Sequence, residues 1–562
     1  MPAMPSPSPG RPSDVANGQS IHPVVIIGAG PVGLACALDL ASLGIRTIVI
    51  EKREGVQVGS RAVGIRRRSL QIFDHLGVFR AIRAAGYVLE RGWTYYGTKL
   101  VNESIFQDET GSDYPNVLLL QQDVLEEMLI QRAREFGSVD IRWCHTLRAM
   151  DQSDDRLRLS IAAPDGPYTL DARFVVAADG AHSDVRRILG ISYLGARFEQ
   201  RWVIADFHTA ASITPGRRLW FDPPYQVGST TILYQLPGNT WRLDYLVPDG
   251  EDPAEAATPQ KATERIRAHL AMMKLPDDWQ LLRCSAYSPS ALSLESYRQG
   301  RVLFAGDAAH LTPIFSGRGM NHGIEDIHNL SWKLAQVIRH QRDPAILDTY
   351  TLERRPAVLA TLNALSKTTV YMSTPSRGAR LMRSAALSLA SGQPGFRSLF
   401  EPFQLGEFVP SDSPLNGAPH REREFHGEGP GSGSTVPDFP IELDQNGQRR
   451  RCSIYQLLGK RFLVLYFMDS GCASLAQIRE LPTLAADVEI ILVASDATSI
   501  DGFTTIADRD GSARRALAAT PGTCYLIRPD DVIAARWRTL VPQELISALE
   551  IAGAGLTPKQ YS

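Results

Sequence analysis

Three acidic residues each close an apolar run of this chain: Glu51 ends TIVIE, Asp179 follows FVVAA, and Asp307 follows VLFAG. A carboxylate at the end of a buried strand can accept hydrogen bonds from the hydroxyls of a bound cofactor; its blander role is to cap a turn or helix. Upstream of the first acid stands GAGPVG, with Gly28, Gly30 and Gly33 in GxGxxG spacing. The first glycine allows a tight turn, the second lets backbone approach a pyrophosphate, and the third lets a helix pack close to the strand. Glu51 follows at the distance where a carboxylate meets a ribose diol, which disfavours a ribose 2′-phosphate. Pro31 and Lys52 flank these positions.

The elements that must place these residues are legible nearby. Residues 24–27 and 45–50 read as strands buried on both faces, with a helix between them. Residues 174–178 and 302–305 repeat the buried-strand pattern. A helix is expected to start near Met320, with Ile324, Ile327, Leu334 and Ile338 on one stripe facing the core. The backbone N–H groups at 319–321 would then be unpaired at its N-terminus and able to meet negative charge on a ring. A second strand-end acid, Asp307, invites a different partner from Glu51, the ribityl hydroxyl of a flavin. Residues 59–78 run from a loop into a helix, and the run Arg66, Arg67, Arg68 is expected on a solvated face.

Residues 193–246 are rich in aromatic and β-branched residues with turn signals, which predicts a mostly antiparallel sheet covered by a helix over 262–273. Residues 410–440 have the Gly, Pro, Ser and charge content of a linker, and a small α/β domain follows. At 562 residues and net charge −2, the chain has room for several cores and no general attraction to nucleic acid or to an anionic membrane. No apolar stretch is long enough to span a bilayer, so no stable membrane association is expected. Residues 1–22 read as a disordered leader, and the six scattered cysteines as free thiols in a cytoplasmic protein. His310, His322 and His328 stand twelve and six residues apart, so no metal is expected from them.

GAGPVG, VVAADGAHSDVRR and RVLFAGDAAHLTP with GRGMNHGIEDIHNLSWKL, in this order, resemble the single-component FAD-dependent aromatic hydroxylases, the p-hydroxybenzoate hydroxylase class. RAVGI, RWVIADF and the C-terminal domain look most like the 3-(3-hydroxyphenyl)propionate and phenol hydroxylase branch. The resemblance implies an α/β protein: a Rossmann-type FAD-binding domain over 23–85, 116–188 and 286–370, and a substrate domain over 86–115 and 189–285. A helical connection over 371–409 and the linker would lead to a thioredoxin-like domain over 441–562. That domain would lack a redox dithiol, in keeping with Cys472 having no CxxC partner.

The resemblance also implies site residues. Gly28, Gly30, Pro31, Gly33, Glu51 and Lys52 would hold the adenosine and pyrophosphate, Arg61 would lie near the pyrophosphate, and Gln121 nearer the ribityl chain. Asp179 and Gly180 match a motif shared between FAD and the nicotinamide, and Asp307 matches the ribityl contact. Gly317, Gly319, Met320 and Asn321 match the backbone at the flavin pyrimidine edge, and Pro313 and Arg61 are the catalytic candidates. NADPH or NADH would visit transiently to reduce FAD, O2 would add at C4a, and the resulting hydroperoxide would hydroxylate a phenolic or related small aromatic substrate. A homodimer is compatible with the class. Ser316-Gly317-Arg318-Gly319 replaces the family's GGQG-like turn, and Arg66 and Arg67 replace acidic residues, so the substrate base is not identified. His208, Trp220, Tyr225, Tyr234, Arg242 and Tyr245 are candidate pocket residues, with core packing as their alternative. An epoxidase, an oxidase or a nonenzymatic flavoprotein are the rival readings, and the absence of WxWxIP disfavours a halogenase.

Overall fold

The computed structural model describes residues 21–56, 64–106, 112–340, 342–374, 376–393, 395–396, 408–445, 448–468, 488–496, 500 and 502–554. Arg61 and Cys472 lie outside them.

Strand β1 (His22–Ile27) leads through the glycine turn into α1 (Pro31–Ser42) and β2 (Thr47–Glu51). Both strands pair in parallel, and their cores are buried because helices cover both faces. β3 (Val139–Trp143) lies parallel to β2, β4 (Tyr168–Ala177) lies parallel to the other side of β1, and β5 (Val302–Phe304) lies parallel to β4. Antiparallel strands Thr146–Gln152, Leu157–Ala162 and Arg298–Gln299 complete an eight-stranded sheet. Since β1, β4 and β5 run in one direction, Gly28, Asp179 and Asp307 come out at one edge, the carboxyl ends where ligands of such sheets bind. Two bonds lock that alignment: Ala178 N donates to Ile27 O at 2.8 Å and Ala305 N to Ala177 O at 2.9 Å.

A seven-stranded sheet stands beside it, in the order 279–287, 202–209, 240–246, 230–236, 217–221, 91–96, 99–105. Strand alternation gives it two faces. One packs Val203, Ala205, Trp220, Leu233, Leu243 and Tyr245 against Ile266 and Leu270 of the helix Pro259–Met272. The other packs Trp202, Ile204, Leu219, Phe221, Ile232 and Leu246 against Phe315 and Met372.

Three further helices bind the halves together: α2 (Arg67–His75), α3 (Arg318–Arg339) and α4 (Asp348–Ser373). α3 is buried nearly all round rather than on a stripe, because it runs between α1, α4 and the C-terminal domain. The C-terminal domain is a seven-stranded mixed sheet in the order 448–453, 440–445, 504–507, 488–494, 462–467, 524–527, 533–537. The segment 410–440 is not a loose tether. Gly417 N donates to Ala534 O, Gly433 N to Ile533 O and Val436 N to Asp531 O, all within 2.9 Å. Its glycines and prolines serve a strap laid along the last sheet; composition alone does not separate that from a flexible linker.

Candidate functional site

The glycine turn is built for close approach. A Cβ on Gly33 would fall 1.9 Å from Gly28 O, and one on Gly28, whose φ is +105°, would fall 2.5 Å from Ala178 O. Gly30 differs from both: a Cβ there meets nothing within 4 Å, so its surface faces open space at the start of α1. Such a cradle fits a pyrophosphate on the helix N-terminus. Pro31 opens α1. Glu51 is buried, and its Oε2 accepts the Ala29 N–H at 2.7 Å while Arg53 Nε donates to Oε1 at 2.9 Å. Burial opposes ionisation of this carboxyl, yet the Arg53 and backbone hydrogen bonds outweigh it and hold the pKa below the usual value. Lys52 points outward to Asp184 at 3.2 Å.

At the end of β4, Asp179 Oδ2 accepts the Val185 N–H at 3.1 Å, so the residue does cap a short helix. Its Oδ1 is buried with no protein partner among the described residues. Burial accordingly raises its pKa, against the local hydrogen bonds. Gly180 beside it adopts φ +79°. After β5, the turn Gly306–Ala308 is held by Asp326 of α3, whose Oδ2 accepts from Gly306 N at 3.1 Å and from His310 Nε2 at 2.7 Å. That turn exposes the Asp307 side chain beside the start of α3, where its Oδ1 lies 3.7 Å from the point a Gly319 Cβ would occupy. His310 is thus a structural ligand of Asp326, and His322 Nε2 pairs with Thr361 at 3.0 Å.

Gly317 caps α3 in the left-handed region, φ +61°, and no acidic residue occupies the first turn. The helix N-terminus, with Gly319 and Met320, is left to an outside acceptor. The Asn321 side chain is not part of that offer. Its Oδ1 accepts Arg66 N at 2.8 Å and its Nδ2 donates to Gly64 O at 2.9 Å and to Gly317 O, tying the strand Gly64–Arg66 to the helix. Pro313 is buried in the loop before this helix. Gln121, at the start of helix Gln122–Arg134, leaves its Oε1 buried without a protein partner.

The pocket candidates divide between the two faces of the second sheet. Trp220 stacks on Tyr95 at 5.1 Å, Tyr225 bonds His269 Nδ1 at 3.0 Å and Tyr245 donates to Ala256 O at 2.8 Å; all three belong to the helix-covered side, away from α3. His208 is exposed. Tyr234 and Arg242 lie on the face packed against Phe315 and Met372, in a polar row whose cross-strand register is Arg217, Tyr234, Arg242, Asp206, Arg283. Alternation was readable in each strand, but which parity faces which neighbour depends on packing partners far along the chain.

Two features escaped the sequence reading. The run Arg66, Arg67, Arg68 turns inward instead of into solvent: Arg67 Nε donates to Tyr114 O at 3.0 Å and Arg68 Nη1 to Asp531 at 2.7 Å. Arg66 is pushed down to about 10 by burial and by the charges of Arg318 and Arg217, so three guanidinium groups converge near the start of α3. Asp244 is a buried carboxyl on the same sheet face as Arg242, raised to about 7 by burial, with Oδ1 lacking a protein partner. An open basin of about 570 Å³ is lined by Arg186, Tyr193 and Arg197, and Tyr193 OH donates to the Asp307 carbonyl.

Comparison with known proteins agrees with this geometry. Residues 22–364 match the model of a family described as an FAD binding domain. A Mycolicibacterium smegmatis protein named 3-(3-hydroxy-phenyl)propionate/3-hydroxycinnamic acid hydroxylase is 32% identical over 332 residues, 59% of this chain and 58% of that one. A Shigella sonnei protein of the same name is 28% identical over 95% of this chain and 94% of its own length. A crystal structure of the flavin-dependent monooxygenase PieE with FAD and substrate superposes with a TM-score of 0.77 over 95% of this chain and 99% of that one, at 21% identity, and shares its fold. The chain belongs to this FAD-binding family and is a flavoprotein monooxygenase of the aromatic hydroxylase kind.

Proposed function

We propose that this hydroxylase takes electrons from NADPH or NADH and uses O2 to hydroxylate a phenol that carries an acidic side chain, as the names of its relatives suggest. The observation that carries the cofactor assignment is the cradle itself: Gly28 and Gly33 tolerate no Cβ, while Gly30 opens on free space. Bound FAD supplies the transfer of electrons from the nicotinamide and the activation of oxygen. In this reading Gly28, Gly30, Gly33 and Glu51 bind the adenosine half, Asp307 receives ribityl hydroxyls, and the backbone of 319–321 meets the negative edge of the ring. Asp179 caps the short helix after β4 with its Oδ1 turned to the cofactor, and the basin beside Asp307 offers Arg186 and Arg197 to the phosphates of a visiting nicotinamide nucleotide.

The protein's remaining tasks are to seat the ring, exclude water and move a phenolic proton. Ile204, Ile232 and Leu219 give an apolar floor, and Phe315 stands edge-on to Trp202 at 4.9 Å to close one end. Arg66, Arg217 and Arg318 at the other end suit a carboxylate. Asp244 is placed to accept a proton, since a buried carboxyl near 7 exchanges protons at neutral pH. We read the C-terminal domain as thioredoxin-like without dithiol chemistry. Its cysteines Cys452 and Cys524 are buried, and burial raises both thiols, disfavouring thiolates. Among the described residues no helix is long and apolar enough to cross a membrane, in keeping with the cytoplasmic placement we propose.

The test is to purify the protein, measure bound FAD, and follow NAD(P)H oxidation and 18O incorporation from O2 across phenols with and without an acidic side chain. Incorporation into an acidic phenol is expected. Oxidation that yields only H2O2 with every phenol would overturn the hydroxylation reading for these substrates. Asp307→Ala is expected to lose FAD on gel filtration, and full flavin content in that variant removes the residue from the site.

A further inference from the structure

At the junction of the FAD-binding half and the C-terminal domain, three side chains from distant parts of the chain point at one another. His75 ends α2, His328 lies in α3, and Asp531 sits in the turn between strands Cys524–Ile527 and Ile533–Trp537 with φ +63°. His328 Nε2 is 3.0 Å from Asp531 Oδ2, His75 Nδ1 is 3.8 Å from the same oxygen, and one ligand atom from each residue falls within 4.8 Å of the others. With metal bonds of about 2.0–2.1 Å, tetrahedral ligands stand roughly 3.3 Å apart. The two separations to Asp531 Oδ2 straddle that value, and the two imidazole nitrogens, within 4.8 Å of each other, draw together as the ion binds.

The outer contacts are those of coordinating imidazoles. His75 Nε2 donates to the Tyr455 carbonyl at 3.1 Å, which fixes a proton there and leaves the Nδ1 lone pair facing the Asp531 carboxylate. Asp531 Oδ2 already accepts from Arg68 Nη1 and His328 Nε2, so an ion would enter by replacing the His328 proton and taking up the unmatched His75 Nδ1. Nδ1 is buried and has no hydrogen-bond partner among the described residues, and Asp531 Oδ1 is likewise unmatched. His328 Nδ1 has the Asp39 carboxylate 3.8 Å away, close enough to favour a positive charge on the ring but too far for a direct hydrogen bond. Arg68 Nη1 holds the Asp531 carboxylate at 2.7 Å and orients it. Gly459 packs over the His75 ring, where a Cβ would come within 2.5 Å of three ring atoms, so the imidazole cannot swing away.

We propose that His75, His328 and Asp531 bind one divalent transition-metal ion, with zinc the fitting species and water as fourth ligand, clamping α2 and α3 to the C-terminal domain. Binding displaces the proton that His328 Nε2 otherwise shares with Asp531 and releases it to solvent. The ion lies outside the flavin cradle and takes no part in oxygen chemistry.

The experiment uses the full chain with FAD bound, produced without a histidine tag and stripped with a chelator. It is titrated with Co2+, read by the d–d absorption of a tetrahedral site at wavelengths beyond the flavin bands, and then with Zn2+ as competitor. One equivalent that survives gel filtration, a higher melting temperature with metal and loss of both in His75→Ala at unchanged FAD content are expected. No retained ion in the wild-type protein, or equal retention in His75→Ala, overturns the site. Should His75→Ala fail to fold, the wild-type titration decides alone.

Discussion

Asp244 shows how a single buried carboxyl makes stability depend on pH. In the unfolded chain it ionises near pH ~3.9, whereas in the fold burial raises it to about 7. The folded state therefore holds an extra proton between those values, and stability present at pH 4 is lost as pH climbs through 7. Asn in its place cannot ionise. Asp244→Asn is expected to raise the melting temperature at pH 8 more than at pH 5; a difference independent of pH would show that the carboxyl stays ionised throughout. The same variant is expected to lower kcat for phenol hydroxylation if Asp244 takes the phenolic proton. Nothing in the sequence separates Asp244 from an ordinary strand residue, since its pKa comes from burial, with Ile204 and Ile232 opposite it on two other strands. Gly28 and Gly33 were readable for the opposite reason: all the atoms that require them belong to the strand, turn and helix around them or to the adjacent strand end.

At the scale of elements, Asn321 joins two pieces that the chain separates by about 255 residues. Its three hydrogen bonds place the strand Gly64–Arg66 against the start of α3 and so set where Arg66 and Arg318 meet. Asn321→Ala removes the bonds to Arg66 N, Gly64 O and Gly317 O and is expected to cost roughly 2–4 kcal/mol. Chemical denaturation measures it, and a loss under about 0.5 kcal/mol would mean that water takes over those bonds. The strand–turn–helix units were legible because buried parallel strands are continuous apolar runs that end abruptly. The orientation of the arginine run was not, because a charge cluster looks solvated until its partners, Tyr114 O and Asp531, are brought to it. The two faces of the antiparallel sheet were equally silent: Tyr225 and Tyr234 have similar local surroundings, yet one faces a covering helix and the other lies on the side of Phe315 and Met372.

For the molecule as a whole, the C-terminal domain is joined by more than apolar packing. Arg528 donates to Glu353 of α4 and to Asp530, and Lys333 of α3 donates to the same Glu353 at 2.7 Å, all fully buried. Two positive and two negative charges balance inside the junction. Removing one partner leaves an uncompensated charge, so Arg528→Met is expected to destabilise the whole chain by about 3–5 kcal/mol in a single cooperative transition. Separate melting of the two halves, with the FAD-binding half unaffected, would contradict that coupling. The order of the first sheet carries one more consequence, for synthesis on the ribosome. β5 is made about 125 residues after β4, the strand it pairs with. At ~5–20 residues per second, the edge of β4 waits roughly 6–25 s for its neighbour. During that interval the nascent chain presents an open row of N–H and C=O groups flanked by valines, and the pocket edge at Asp307 does not yet exist. Cofactor capture is thus a late event in the life of each molecule, and the interval before it is when a chaperone has most to protect.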